Sequence, residues 1–236
     1  MKKAMLIYAH PDDESIITGG TIRKMVEKGY EVDLICATRG EASTAYDRDY
    51  VKKEHLPEVR EKELIDSCQV LGISKLYFMD YLDGSLKTIP EDEGVGKLIK
   101  YLNEEKPNIV ITFEPDGISH HSDHKIIHSW TMKALSSREI DTNPEKIYWA
   151  TEDRGTGRLK KGKAMGHFRE DMTTIIDITG VIDIKTEAIK CHRSQIKALE
   201  NNALIEDGKL IRRNKEEFFI RVDAEGRKIN VKEDSI

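Results

Sequence analysis

The sequence predicts an α/β fold: a mostly parallel, Rossmann-like sheet with a 3-2-1-4-5 core, helices on both faces and a mixed C-terminal extension. Three observations predict it. Five short apolar runs alternate with four segments of helical length and spacing. The runs are apolar nearly throughout, as strands buried on both faces require. No repeat or interdomain linker divides the 236 residues, a length suited to one domain over 1–236.

In order, "KAMLIYAH" (3–10) reads as a buried strand. "ESIITGGTIRKMVEKGY" (14–30) reads as a helix ending near Gly29. "EVDLICATRGE" (31–41) is a second strand, and "EHLPEVREKELIDSCQVLGI" (54–73) a helix ending at Gly72. "KLYFMDY" (75–81) is a third strand. The helix in 90–107 is opened by Pro90 and closed before Pro107. "NIVITFEPDG" (108–117) is the fourth strand, "SDHKIIHSWTMKALSS" (122–137) a helix and "KIYWATE" (146–152) the fifth strand. The last third is less regular. The polar, basic stretch 152–168, including Arg154–Lys163, reads as a solvated loop or a substrate lid. It lacks a G-x-G-x-x-G after a strand, the dinucleotide signature. "TTIIDIT" (173–179) reads as a strand, "VIDIKTEAIKCHRSQIKALE" (181–200) as one helix and "EFFIRV" (217–222) as a closing strand.

Composition narrows the function classes. A net charge of -5 carries no basic field for nucleic acid and no polybasic membrane patch. Cys36, Cys68 and Cys191 are widely spaced without a C-x-x-C pair, so neither a disulfide framework nor a thiolate zinc site is indicated. The N-terminal apolar run is roughly half the length of a signal peptide's apolar region and breaks at His10. No stretch approaches the ~20 apolar residues of a membrane helix. A reducing cytoplasm is expected.

The chemistry gathers in two places. His10, Asp12 and Asp13 follow the first strand; His120, His121, Asp123, His124 and His128 lie after the fourth. In a 3-2-1-4-5 sheet those strands are neighbours whose connections leave in opposite directions, so a crevice opens at their carboxyl ends. Two adjacent carboxylates repel, and burying them requires a positive partner. Histidines and carboxylates meeting there suit zinc, or iron, cobalt or manganese, with a position left open for water. One carboxylate would ligate the cation and the other would take a proton from water. Plainer alternatives stand beside this. Asp13, Glu14 and Ser15 also read as a helix N-terminal cap, and His124 with His128 as one solvated helix face.

These motifs resemble a known family. "AHPDDE" (9–14), with H-x-D-H at 121–124 after a later strand, is similar to the zinc-dependent N-acetylglucosaminyl deacetylases. This LmbE-like family includes the phosphatidylinositol-glycan de-N-acetylases, the mycothiol and bacillithiol deacetylases and the archaeal diacetylchitobiose deacetylases. "ATRGE" (37–41), Arg60-x-x-Glu63, "YLDG" (81–84) and the motif from Lys185 to Gln195 also resemble it. The resemblance implies His10, Asp13 and His124 as ligands of Zn2+ and Asp12 as general base. It implies His121 as oxyanion stabiliser or proton donor to the leaving amine. Asp123 would orient His121 or a neighbouring ligand, and its nearby charge would keep His121 cationic. Arg60 and Asp83 look like the family's sugar-hydroxyl contacts, with Arg39 and His192 as further candidates; Arg39 also fits a surface ion pair and His192 a hydrogen-bonded helix residue.

The implied substrate is an N-acetylated amino sugar or glycoconjugate, and the implied assembly a homo-oligomer, trimer or hexamer. The sequence departs from the family where His120 and Ser122 replace glycine and proline in its second motif, and at Ser43 in "RGEAS". A bulky His120 would narrow or recharge the substrate mouth. Two other readings remain open: a non-catalytic sugar- or nucleotide-binding domain on the same fold, and a metal-dependent phosphoesterase, a class that often uses two metals.

Overall fold

The computed structural model describes residues 2–156, 159–160, 163–201, 205–206, 209–210 and 215–236. The chain begins β1 (Lys3–Tyr8), α1 (Asp13–Glu27), β2 (Glu31–Thr38), α2 (Leu56–Leu71), β3 (Lys75–Tyr81) and α3 (Glu91–Glu105). It continues β4 (Ile109–Phe113), α4 (Ser122–Leu135) and β5 (Lys146–Thr151), then a short ribbon of β6 (Leu159–Lys160) and β7 (Lys163–Ala164). β8 (Thr174–Asp177), α5 (Ile182–Cys191) and α6 (Ile196–Asn201) follow. The ribbon of β9 (Ile205–Glu206) and β10 (Lys209–Leu210) precedes β11 (Glu216–Val222).

Seven strands form one sheet in the order β3-β2-β1-β4-β5-β11-β8. The 3-2-1-4-5 core is parallel, as the apolar strands predict. The mixed extension is β11, which runs antiparallel to both β5 and β8. Ala4, Met5, Leu6 and Ile7 of β1 have no exposed surface, nor have Val110, Ile111 and Phe113 of β4. The central strands are therefore covered from both sides. α1, α2 and α5 pack together as one helical group, and α3 and α4 as another. Leu6 pairs with Leu34 on one side and Ile111 on the other. The register thus places the ends of β1 and β4 side by side, where their connections diverge.

One expected element changes. The helix expected over 181–200 breaks at His192, whose backbone (φ -79°, ψ 55°) closes α5. A 3-10 turn at Arg193–Gln195 separates it from α6. Tertiary bonds outweigh helical propensity here. The backbone N–H and hydroxyl of Ser194 each donate to the Glu63 carboxylate at 2.7 Å, and the Ser43 hydroxyl donates to Gln195 Oε1 at 2.9 Å.

Of the basic stretch, Arg154–Thr156 forms a 3-10 turn, while residues 157–158 and 161–162 lie outside the described residues. All three cysteines are free thiols. Among the described residues, no helix is long and apolar enough to cross a membrane.

The packing of α3 on α4 depends on a glycine. At Gly94 in α3, a Cβ would come within 2.5 Å of the Trp130 ring in α4. Alanine in a helix is worth about 1 kcal/mol over glycine, but overpacking a close contact costs about 1–3 kcal/mol. Gly94→Ala is therefore expected to destabilise by up to about 2 kcal/mol in chemical denaturation. A stabilised variant would show that α3 and α4 can separate without cost.

Candidate metal and active site

Donor atoms of three residues converge at the carboxyl ends of β1 and β4. His10 Nδ1 lies 3.2 Å from His124 Nε2 and 3.6 Å from Asp13 Oδ2, and His124 Nε2 lies 3.4 Å from Asp13 Oδ1. Zinc–ligand bonds of about 2.0–2.2 Å at tetrahedral angles hold ligand atoms about 3.4 Å apart. The triangle fits such an ion and leaves one coordination position open. His121 also brings a ring nitrogen within the 4.8 Å compass of His10 and His124.

The far side of both imidazoles is occupied, as a metal site would require. His124 Nδ1 faces the Gly117 carbonyl at 3.0 Å, which leaves Nε2 turned toward His10 and Asp13. Only glycine suits position 117: its φ is +76°, and a Cβ would sit 2.8 Å from His124 Cβ. His10 Nε2 faces Asp83 Oδ1 at 3.1 Å and Asp123 Oδ2 at 3.4 Å. The Gly84 N–H donates to that same Asp123 oxygen at 2.7 Å, so the β3 loop helps fix His10.

The electrostatics agree with the geometry. Burial opposes a charge on His10, yet Asp123, Asp13 and Asp83 hold its pKa well above the ordinary value. The pocket is thus strongly anionic and favours a cation. Burial, reinforced by positive His10, pushes His124 down to about 4, which leaves its lone pair available. For Asp13, burial is outweighed by His124 and His10, and its carboxyl stays well below the usual range.

Asp12 is set apart from this triangle. Its backbone has φ 104°, a left-handed conformation rare for a residue with a side chain. Its Oδ2 accepts from Arg60 Nη2 at 2.9 Å. Burial raises its pKa to about 6, Arg60 offsetting part of that rise and neighbouring Asp13 adding to it. A carboxylate near neutral pKa beside a metal triangle is suited to proton transfer.

His121 departs from the expected cation. The Asp123 backbone N–H donates to its Nδ1 at 3.2 Å, so the ring proton belongs on Nε2. Desolvation and positive His10 hold its pKa below the ordinary value. The Asp123 carboxylate serves His10 instead, the second of the two orientations that the sequence left open.

The expected sugar-contact residues fall into different places. Asp83 joins the cluster, with its second oxygen accepting from the Ala42 N–H at 3.0 Å. Arg60 is only 3% exposed. Its guanidinium serves Asp12, the Pro11 carbonyl and, at 2.9 Å, the Gly40 carbonyl. It is corrected from a sugar contact to a partner of Asp12, because its bonding is directed into the protein. His192 is corrected likewise: with no exposed surface it cannot touch a substrate, and its Nε2 meets Glu14 Oε1 at 2.7 Å. Arg39 lies apart from the donor triangle. It pairs with Glu61 and Asp80 and stacks 4.5 Å from the Phe78 ring centroid.

The remaining histidines separate cleanly. His128 Nδ1 faces the Phe113 carbonyl at 2.7 Å, and His128 belongs to neither candidate metal cluster around His10. His120 (φ 59°) faces Asp116 at 3.5 Å and belongs to neither candidate metal cluster around His10.

Sequence reasoning missed two buried carboxylates. Glu14, read as part of a helix cap, is 1% exposed and bonded to His192 and Ser67. Glu114, fully buried at the end of β4, holds His167 Nε2 at 2.6 Å and accepts from the Thr151 hydroxyl at 2.8 Å. The available signal was a single carboxylate closing an otherwise apolar strand.

A model of the family described as "PIG-L: GlcNAc-PI de-N-acetylase" matches residues 5–135. A 1D-myo-inositol 2-acetamido-2-deoxy-alpha-D-glucopyranoside deacetylase from Rhodococcus erythropolis is 28% identical, over 86% of this chain and 84% of the relative. A probable N-acetyl-alpha-D-glucosaminyl L-malate deacetylase 2 from Bacillus cereus is 28% identical, over 84% and 86%. The structure resembles an N,N'-diacetylchitobiose deacetylase from Pyrococcus horikoshii with a TM-score of 0.69 at 24% identity, covering 94% of this chain and 84% of that one. The matched region carries the turn from β1 into α1 and the first turn of α4, which together hold every donor of the triangle. The chain belongs to the PIG-L (GlcNAc-PI de-N-acetylase) family.

Proposed function

We propose that this chain is a metal-dependent hydrolase that removes the acetyl group from an N-acetylglucosamine-type sugar or glycoconjugate. Zinc fits the donor set, and other divalent transition metals share its ligand preferences. The observation that carries the reading is the division of labour between adjacent carboxylates. Asp13 closes a triangle of donors 3.2–3.6 Å apart, while Asp12 is turned to Arg60 with a near-neutral pKa. A sugar-binding module has no use for that separation. The kinship with deacetylases supports the choice of an acetamide as the bond cut.

A cation held by His10, Asp13 and His124 supplies Lewis acidity, which makes water more acidic and an amide carbonyl more electrophilic. Asp12 takes the proton as water attacks the carbonyl carbon. His121, neutral with its proton on Nε2, donates to the carbonyl oxygen as charge develops there. The C–N bond then breaks as Asp12 returns its proton to the amine, and the acetic acid released loses its remaining proton to solvent. A two-metal phosphoesterase would need Asp83 and Asp123 as ligands of a second ion; with His10 Nε2 they form a second candidate cluster, so the number of metals per chain decides between the two readings.

One metal per chain is expected by elemental analysis, with Asp13→Ala and His124→Ala losing it. The metal-loaded chain should release free amine from at least one of N-acetylglucosamine, diacetylchitobiose and N-acetylglucosaminyl-malate, and a chelator should stop it. Stoichiometric metal with no amine released would overturn the deacetylase reading, and two metals per chain would favour the phosphoesterase.

Asp12→Ala is expected to keep its metal and lose roughly 10²–10⁴-fold in kcat, the usual worth of a positioned base. An Asp12→Ala enzyme with full activity would remove the base assignment.

The pH profile has a defined sign. Asp12 acts only when ionised, so kcat/KM should fall as pH drops through its pKa. Burial sets that value at about 6 and a bound cation pulls it lower, so the acid limb should lie at or below about 6. A limb above neutrality would contradict Asp12 as the titrating base.

A further inference from the structure

The left-handed backbone of Asp12 (φ 104°) is costly for a residue with a side chain and persists only where its surroundings over-determine it. The structure shows what does so. Glu14 Oε2 accepts the Asp12 backbone N–H at 3.0 Å. The other Glu14 oxygen is held by the Ser67 hydroxyl at 2.6 Å and by His192 Nε2 at 2.7 Å. Glu14, Ser67 and His192 are each 1% exposed or less. His192 comes from the far end of the chain and arrives through the break that ends α5. That break is pinned in turn by Ser194 on Glu63 of α2. Arg60, also on α2, donates to the Pro11 carbonyl and so grips the preceding peptide.

We infer that His192 is a positioning residue for the base: acting through Glu14, it clamps the Asp12 peptide in its left-handed conformation and so fixes where the Asp12 carboxylate stands beside the metal donors. The inference rests on Asp12 being the base of the proposed reaction. It gives the motif around Cys191–Gln195 a task that substrate contact cannot supply. It also accounts for the break in a segment whose sequence is otherwise helical. The metal donors have their own supports in Gly117, Asp83 and Asp123. Loosening the clamp should therefore misplace the base without emptying the metal site.

The test compares His192→Leu, which removes the donor, with Glu14→Gln, which keeps the shape, and with His192→Gln, whose amide Nε2 can replace the imidazole Nε2. Two readouts need no substrate: residue-resolved hydrogen exchange of the Asp12 amide, and its φ in crystal structures of the metal-loaded variants. His192→Leu and Glu14→Gln should expose that amide to faster exchange and shift Asp12 out of the positive-φ region. Their kcat should fall about 10–100-fold, the scale of a catalytic group misplaced by about 1 Å. KM should stay within about threefold, metal should remain stoichiometric, and His192→Gln should recover most of kcat. If His192→Leu does not fold, Glu14→Gln carries the same measurements.

An Asp12 amide still protected at positive φ in the variants would overturn the inference. So would unchanged kcat, or metal lost in step with activity. A wild-type chain that hydrolyses none of the sugars would end the deacetylase reading, while the exchange and φ results would still decide the clamp.

Discussion

The surplus of buried negative charge at the ends of β1 and β4 is the constraint on which the rest of the site depends. Asp13, Asp83 and Asp123 all face His10, with Asp12 and Glu14 on the same turn. Carboxylates packed this densely remain ionised only if each finds a cation or an N–H. The protein meets that demand in three ways. Arg60 takes Asp12, His192 takes Glu14, and the backbone amides of Ala42 and Gly84 take Asp83 and Asp123. What remains faces the donor triangle, where the proposed divalent ion would complete the balance.

The sheet makes this concentration possible. Parallel strands bring their carboxyl ends to one side of the sheet, and the connections leaving β1 and β4 in opposite directions leave room there. β1 delivers His10, Asp12 and Asp13, β4 and its loop deliver His121, Asp123 and His124, and the β3 loop delivers Asp83 and Gly84. Only short connections lie between each strand and its functional residues, so the positions inherit the rigidity of the core. Phe113 illustrates this: fully buried at the end of β4, it stacks on the His124 ring at 4.0 Å between centroids.

The motif near Cys191–Gln195 has a different standing. It lies outside the region that the family model matches, yet it reaches α1 through His192, α2 through Ser194 and the loop after β2 through Gln195. The parallel core supplies the donor triangle, and this later segment supplies much of the bracing behind Asp12. Position in the chain separates the two roles; burial joins them.

Much of this was legible in the sequence because two local signals are strong. Near-continuous apolar runs such as "AMLIY" and "IVITF" announce strands buried on both faces, and polar clusters just beyond them mark the functional edge. With the resemblance of "AHPDDE" and H-x-D-H, these signals named the fold, the family and the residues that meet at the switch point. Other features depend on partners distant in sequence, and no local pattern encodes them. The break at His192 exists because Glu14, 178 residues away, offers a buried acceptor. Arg60 turns from a substrate to Asp12 because α2 packs against the turn after β1. His121 is held below its ordinary pKa by burial and by positive His10, while Asp123 gives its carboxylate to His10 and only its amide to His121. Sequence alone determined which groups would be present at the site. Tertiary packing decided which group each one faces, because burial makes every charge choose a partner that only the folded chain can bring within reach.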